Sequence, residues 1–263
     1  MRCDRLLPLL LATTLAGCVT TQSGGPDSLA KNLPATSSAQ KAEDAARVHT
    51  ELGQHYMAQG DLQTALEKLQ LALKFDPNYA PAHTVLGLLY ERIKDPAKAE
   101  EHYRRAVALE PDKGGPNNNF GQFLCSVGKV QEAQGYFEKA IADPFYTTPD
   151  VALSNAGVCQ LKGGSETAAE ADFRRALQRN PANAEALFQL ARILYANNNA
   201  FGASAFMQRL DALNQPTAVM LKLGYDIESR LGHHEGAATY AKRLHEMFPD
   251  SEQAQAVNNT ASR

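Results

Sequence analysis

The chain of 263 residues has no tryptophan and only four cysteines. It contains no Lys/Arg-rich run, and its formal net charge is −3. That argues against a nucleic-acid partner, which requires concentrated positive charge to displace counterions from phosphates. The apolar run from Leu6 to Ala16 is interrupted by Pro8 and is too short to cross a bilayer as a stable helix. No glycine-rich phosphate cradle and no serine nucleophile elbow appears. Nothing in these absences calls for a cofactor, a metal or a small-molecule substrate.

What is present begins with Arg2 and Arg5 ahead of that apolar run, followed by Leu15-Ala16-Gly17-Cys18. Small residues leading into a cysteine resemble a bacterial lipobox. The resemblance implies that residues 1–17 are a signal peptide and that Cys18 is acylated; the alternative is an ordinary signal peptide cut nearby. Val19, where an aspartate would mark retention at the inner membrane, implies a lipid-anchored protein of the outer membrane with its body facing the periplasm. Residues 18–40 are rich in Ser, Thr, Gly and Pro and have no hydrophobic period. They read as a flexible tether with an r.m.s. span of roughly 25 Å.

Beyond residue 45 the chain repeats. Leu52-Gly53-x-x-Tyr56, with Ala65, Leu69, Ala72 and Pro77, recurs 34 residues on as Leu86-Gly87-x-x-Tyr90, with Ala99, Tyr103, Ala106 and Pro111. Phe120-Gly121-x-x-Leu124, with Ala133, Phe137 and Ala140, continues it. Two extra residues enter around DPFYTTPD before Ala156-Gly157, Ala169, Phe173, Ala176 and Pro181. A fifth unit carries Leu190-Ala191, Ala203, Met207 and Pro216. A sixth, from Leu223-Gly224 through Ala237 and Tyr240 to Pro249, is degenerate and uncertain in register by one residue. This small-large-small pattern in phase resembles the tetratricopeptide repeat. It implies an all-α, right-handed superhelical solenoid of about six antiparallel helix pairs over residues 41–250, with 251–263 a polar tail that frays. The physics agrees: one helix pair cannot bury its own apolar face, so stacked neighbours must supply the core. Gly60, Gly128 and Gly164 fall where a left-handed turn joins the two helices of a unit.

In such a fold the first helices line a concave groove. Counting from the repeat starts puts Thr84, Leu88 and Glu91 of the second unit on its wall. Asn118, Asn119 and Gln122 follow from the third, Ser154 and Val158 from the fourth, and Phe188, Arg192 and Tyr195 from the fifth. Amides beside apolar side chains suit an extended peptide or an amphipathic helix. Asn118 is read as a groove amide that pairs with a partner's backbone, and Asn117 or Pro116 as the start of its helix.

The stretch NNNFGQFLC also contains Cys125. No histidine falls in its own repeat or the next, so a nucleophilic role lacks its base. Once Cys3 leaves and Cys18 is acylated, Cys125 and Cys159 remain, on neighbouring first helices in an oxidising compartment. They are expected to form a disulfide, the alternative being two buried thiols. His49 and His83, one repeat apart, are too distant to share a metal, and His233-His234-Glu235 sits at a turn. Glu100-Glu101 reads as a solvated surface. No residue is assigned a catalytic role and no enzyme activity is expected.

The lipobox, the tether and six repeats together resemble the type IV pilus biogenesis/stability lipoproteins PilF and PilW. Asn118-Asn119-Phe120-Gly121-Gln122-Phe123-Leu124-Cys125 looks like that family's third-repeat signature, and Asn155-x-Gly157 also fits. The resemblance implies a pilotin that helps the type IV pilus secretin subunit reach the outer membrane and multimerise. The other reading is an outer-membrane adaptor for cell-envelope enzymes such as peptidoglycan hydrolases.

Overall fold

The computed structural model describes residues 37–261; the expected signal peptide, Cys18 and nearly all of the expected tether lie outside the described residues. Thirteen helices and no strand occur among the described residues. Six antiparallel pairs follow one another: α1 (Ser38–Gln59) with α2 (Leu62–Phe75), α3 (Ala80–Arg92) with α4 (Pro96–Leu109), and α5 (Gly114–Ser126) with α6 (Val130–Ala142). Then come α7 (Pro149–Lys162) with α8 (Glu166–Arg179), α9 (Ala184–Ala196) with α10 (Ala200–Asp211), and α11 (Ala218–Arg230) with α12 (His234–Met247). The first helix already starts at Ser38, capped by the Ser37 side chain, so residues 38–40, expected in the tether, are helical.

All six pairs share a left-handed closing turn, and three of them share a side-chain cap. Asp61, Asp95 and Asn199 cap second helices by accepting a hydrogen bond from the backbone N–H three residues on. The turn just before them needs a left-handed residue, and glycine supplies it at Gly60 (φ 84°), Gly128, Gly164 and Gly232. Lys94 (φ 63°) and Asn198 (φ 59°) hold the same place in the second and fifth units. A side chain there crowds its own backbone, at a cost of about 1–2 kcal/mol. Lys94→Gly is therefore expected to stabilise the protein by about 0.5–1 kcal/mol, after allowing for glycine's greater freedom when unfolded. A higher urea midpoint is the readout, and a lower one would show that Lys94 contributes more than turn geometry.

Packing within each pair rests on one close approach. A Cβ placed on Gly53, Gly87, Gly121, Gly157 or Gly224 would lie 2.5–2.8 Å from Leu69, Tyr103, Phe137, Phe173 or Tyr240 respectively. The absent side chain is the space that the facing ring or Leu fills. The fifth unit uses a milder version, with buried Ala191 and buried Met207. The sixth unit's register is settled by the same contact: Gly224 faces Tyr240, 16 residues on, as in the other glycine pairs. Its left-handed Gly232, however, follows eight residues after Gly224 rather than seven. One residue is thus gained before the turn and lost after it, which is why the repeat looks degenerate.

The segment after residue 250 corrects the sequence reading. Its residues 252–261 do not fray but form α13 (Glu252–Ala261). Ala254 and Val257 are buried against Leu221 and Leu244. Two small apolar residues three apart were enough to cap the open end of the stack, as terminal units of a solenoid must.

Candidate functional site

First helices stand side by side: α1 packs on α3, α3 on α5, α5 on α7, and α9 on α11. Arginines tie one unit to the previous one at the ends of these helices. Arg92 donates to the Met57 carbonyl at 2.6 Å, and Arg230 donates to the Tyr195 carbonyl at 3.3 Å. Each adds a second hydrogen bond to a last-turn carbonyl that already accepts a backbone N–H from the closing turn.

Along the wall, the side chains divide into two groups. Leu88 (40% exposed), Gln122 and Arg192 reach solvent. Thr84, Glu91, Asn119, Val158, Phe188 and Tyr195 are half-buried. Some of these are engaged inside the protein: Glu91 accepts a 2.6 Å hydrogen bond from the Tyr103 hydroxyl, and the Arg230 guanidinium covers the Tyr195 ring at 4.1 Å. Burial and that Glu91 contact both push the Tyr103 hydroxyl's pKa upward, so it remains a donor.

Asn118 and Ser154 do not face a partner, contrary to the expectation from repeat position. Asn118 is 5% exposed, and its Oδ1 accepts from Asn155 Nδ2 at 2.9 Å, joining α5 to α7. Ser154 Oγ donates to Asn183 Oδ1 at 3.0 Å, while Asn183 and Asn180 each donate to the Asp150 carboxylate at 2.9 Å. These amides are inter-repeat staples. A buried amide must be paired, and the neighbouring helix is closer than any partner. Asn117 is fully buried and donates to the Pro111 and Lys113 carbonyls, both at 2.8 Å. The helix begins earlier than Asn117, at Gly114, whose N–H donates to the Asp143 carboxylate at 2.8 Å and whose missing side chain leaves room for Tyr146.

Cys125 and Cys159 are joined by a disulfide with their Cα atoms 5.6 Å apart, linking α5 to α7 next to the Asn118–Asn155 bond. His49 stacks on Phe75, whereas His83 meets His102 with 3.0 Å between their Nδ1 atoms, so the two repeat-related histidines serve separate neighbours. Burial holds both His83 and His102 below the usual histidine range. His233 pairs with Glu228 rather than with His234 or Glu235. Glu100 accepts from Lys129 and Arg104, which hold its carboxyl below the ordinary carboxylate range. Among the described residues no group of three or more His, Cys, Asp or Glu could hold a metal ion.

Three shallow concavities follow the first helices in order. The first, about 220 Å³, lies among Gln54, Pro81, Thr84, Leu88, Pro116 and Asn119. The second, about 220 Å³, lies beside the disulfide, among Gln122, Asn155, Val158 and Lys162. The third, about 270 Å³, is formed by Val158, Leu161, Lys162, Gln189 and Arg192. Val158 and Lys162 belong to both of the last two, so these run into each other. Counting repeat positions missed Lys162, Gln189 and Asn155. Lys162 lies four residues beyond Val158, the last position counted in its unit, and a flat count of groove positions offers no signal for the other two.

Models of the tetratricopeptide repeat match residues 37–110 and 160–223. The chain is 27% identical over 245 residues to the type IV pilus assembly protein PilF of Pseudomonas aeruginosa, spanning 93% of this chain and 94% of that one. The solved structure of PilW, a widely conserved type IV pilus biogenesis factor, superposes with a TM-score of 0.72 at 34% identity, covering 81% of this chain and 97% of PilW. The structure of Pseudomonas aeruginosa PilF gives a TM-score of 0.75 at 24% identity, over 84% of this chain and 99% of that one.

Proposed function

The chain belongs to the tetratricopeptide-repeat family, among the type IV pilus biogenesis proteins related to PilF and PilW, and from that premise we propose that it serves type IV pilus biogenesis as a pilotin. In this reading an acyl group on Cys18 holds the protein in the outer membrane. The concave wall grips a segment of the pilus secretin subunit, and the two attachments together raise the subunit's effective concentration at the bilayer. Binding rather than chemistry is the task. The observation that carries the reading is the likeness to PilW over 97% of PilW's length, joined to an open wall where Leu88 and Gln122 are exposed and unstapled.

Capture of purified secretin subunit tests the proposal. Leu88→Glu with Gln122→Arg changes two exposed side chains and should alter folding stability by no more than about 0.5 kcal/mol. It is expected to reduce secretin co-purification severely. Cys18→Ser is expected to leave capture in detergent extract intact while assembled rings no longer reach the outer membrane. Undiminished capture by the groove variant would refute the groove, and normal outer-membrane rings with Cys18→Ser would refute the anchor.

A further inference from the structure

The third concavity has a chemical character that the others lack. It lies between α7 and α9, whose backbones come less close than those of the other adjacent first helices. Asp150, Ser154 and Asn183 hold the two helices together at their N-terminal ends. Toward the C-terminal ends the space opens, and Lys162 and Arg192 both border it.

Both cations are exposed, and among the described residues neither has a carboxylate partner. Other first-helix cations are engaged within the protein: Arg47 pairs with Glu51 and Lys222 with Asp226, while Arg92 and Arg230 donate to backbone carbonyls. Gln189, only 8% exposed, lines the same recess. Its Nε2 donates to Glu185 at 2.8 Å, but its buried Oε1 has no hydrogen-bond partner. An unpaired buried acceptor costs free energy until a donor arrives. Val158 and Leu161 form the apolar floor.

An unmet acceptor, two unpaired cations and an apolar floor in one recess define a ligand. It has an N–H, an anionic oxygen pair within a few ångströms of it, and an aliphatic neighbour. We propose that this recess is the point at which the groove reads charge: it takes an aspartate or glutamate side chain of an extended peptide segment. The carboxylate lies between Lys162 and Arg192, a backbone N–H of the segment donates to Gln189 Oε1, and the adjacent aliphatic residue rests on Val158 and Leu161. An internal side chain, rather than a chain terminus, is favoured by continuity. The recess runs through Val158 and Lys162 into the concavity beside Gln122 and Asn155, so the bound chain has a path onward at that end. The proposal rests on the groove reading above and specifies what the groove selects.

The test uses the full-length lipidated protein in nonionic detergent micelles. The probe is a short fluorescein-labelled, C-terminally amidated peptide of Ser, Thr and Gly with a central Leu-Asp-Leu. A twin carries Leu-Asn-Leu, and a third carries Leu-Asn-Leu with a free terminal carboxylate. Anisotropy is expected to show the Asp peptide binding roughly tenfold tighter than its Asn twin, the scale of a charge-assisted hydrogen bond out of bulk water. The preference should narrow between about 0.05 M and about 0.5 M salt as the charges are screened. Lys162→Gln with Arg192→Gln should erase it, and Lys74→Gln with Arg179→Gln, a charge-matched pair of exposed positions on second helices, should not.

Equal binding of the Asp and Asn peptides, or none by either, overturns the proposal. So does persistence of the preference in the Lys162/Arg192 variant. Tighter binding of the free-carboxylate peptide than of the Asp peptide also overturns it, assigning the recess to a chain end. Secretin capture keeps the two readings apart. If Lys162→Gln with Arg192→Gln captures secretin normally while the Leu88 and Gln122 variant does not, the groove stands and charge selection falls. If neither variant changes capture, the groove reading itself falls.

Discussion

Phe137→Ala is expected to destabilise the protein by about 3–5 kcal/mol, the scale for removing a fully buried aromatic side chain. The ring is completely inaccessible and lies against Gly121, whose missing Cβ would be 2.8 Å from it. Ordinary cores relax around a deletion by letting neighbouring side chains lean in. Here the facing position has no side chain, so the cavity persists between two backbones. The reverse change is informative too. Gly121→Ala overpacks the contact and should cost about 1–3 kcal/mol. Adding Phe137→Met should recover part of that loss, because the fifth unit is built this way, with Ala191 opposite Met207. Urea unfolding of the three variants checks the set. If the double variant is no better than Gly121→Ala, the glycine–ring ladder is not a series of independent pairs.

Reduction of the Cys125–Cys159 bond is expected to cost roughly 3–4 kcal/mol, from the chain entropy that closing a loop of 34 residues removes from the unfolded state. The location matters more than the size. The bond crosses the junction between the third and fourth units, where the connection carries two extra residues. In a solenoid each unit is held mainly by its neighbours, so weakening one junction divides the stack. Under reducing conditions the urea transition should therefore separate into two, with units one to three and four to six unfolding apart. The polar staples Asn118–Asn155 and Gln134 to the Ala156 carbonyl would remain at the junction but are weaker than a covalent link. One transition with an unchanged midpoint after full reduction would mean that the bond adds nothing to the junction.

The groove was only partly legible. Leu88, Gln122 and Arg192 lie open on the wall as repeat counting predicted, because on a helix in a regular stack residue position sets direction. Asn118 and Ser154 occupy an equally regular position and are buried. Position says which way a short polar side chain points, but not whether a neighbouring helix offers it a hydrogen bond first. Asn155 and Asn183 do so here. Lys162 and Gln189 became visible only once the space between α7 and α9 was seen.

The sequence by itself determined the helix pairs, their turns and the glycine–ring contacts, because these are interactions within about twenty residues, repeated in phase. It also carried the family likeness and the two cysteines available for pairing. Tertiary structure alone decided three things. It set the sixth unit's shifted turn, made a terminal helix of residues 252–261, and converted two apparent groove side chains, Asn118 and Ser154, into staples between units. The physical reason is common to all three. Each depends on surface that exists only after neighbouring units have stacked, and a linear pattern does not specify how close two stacked helices come or what they leave unpaired.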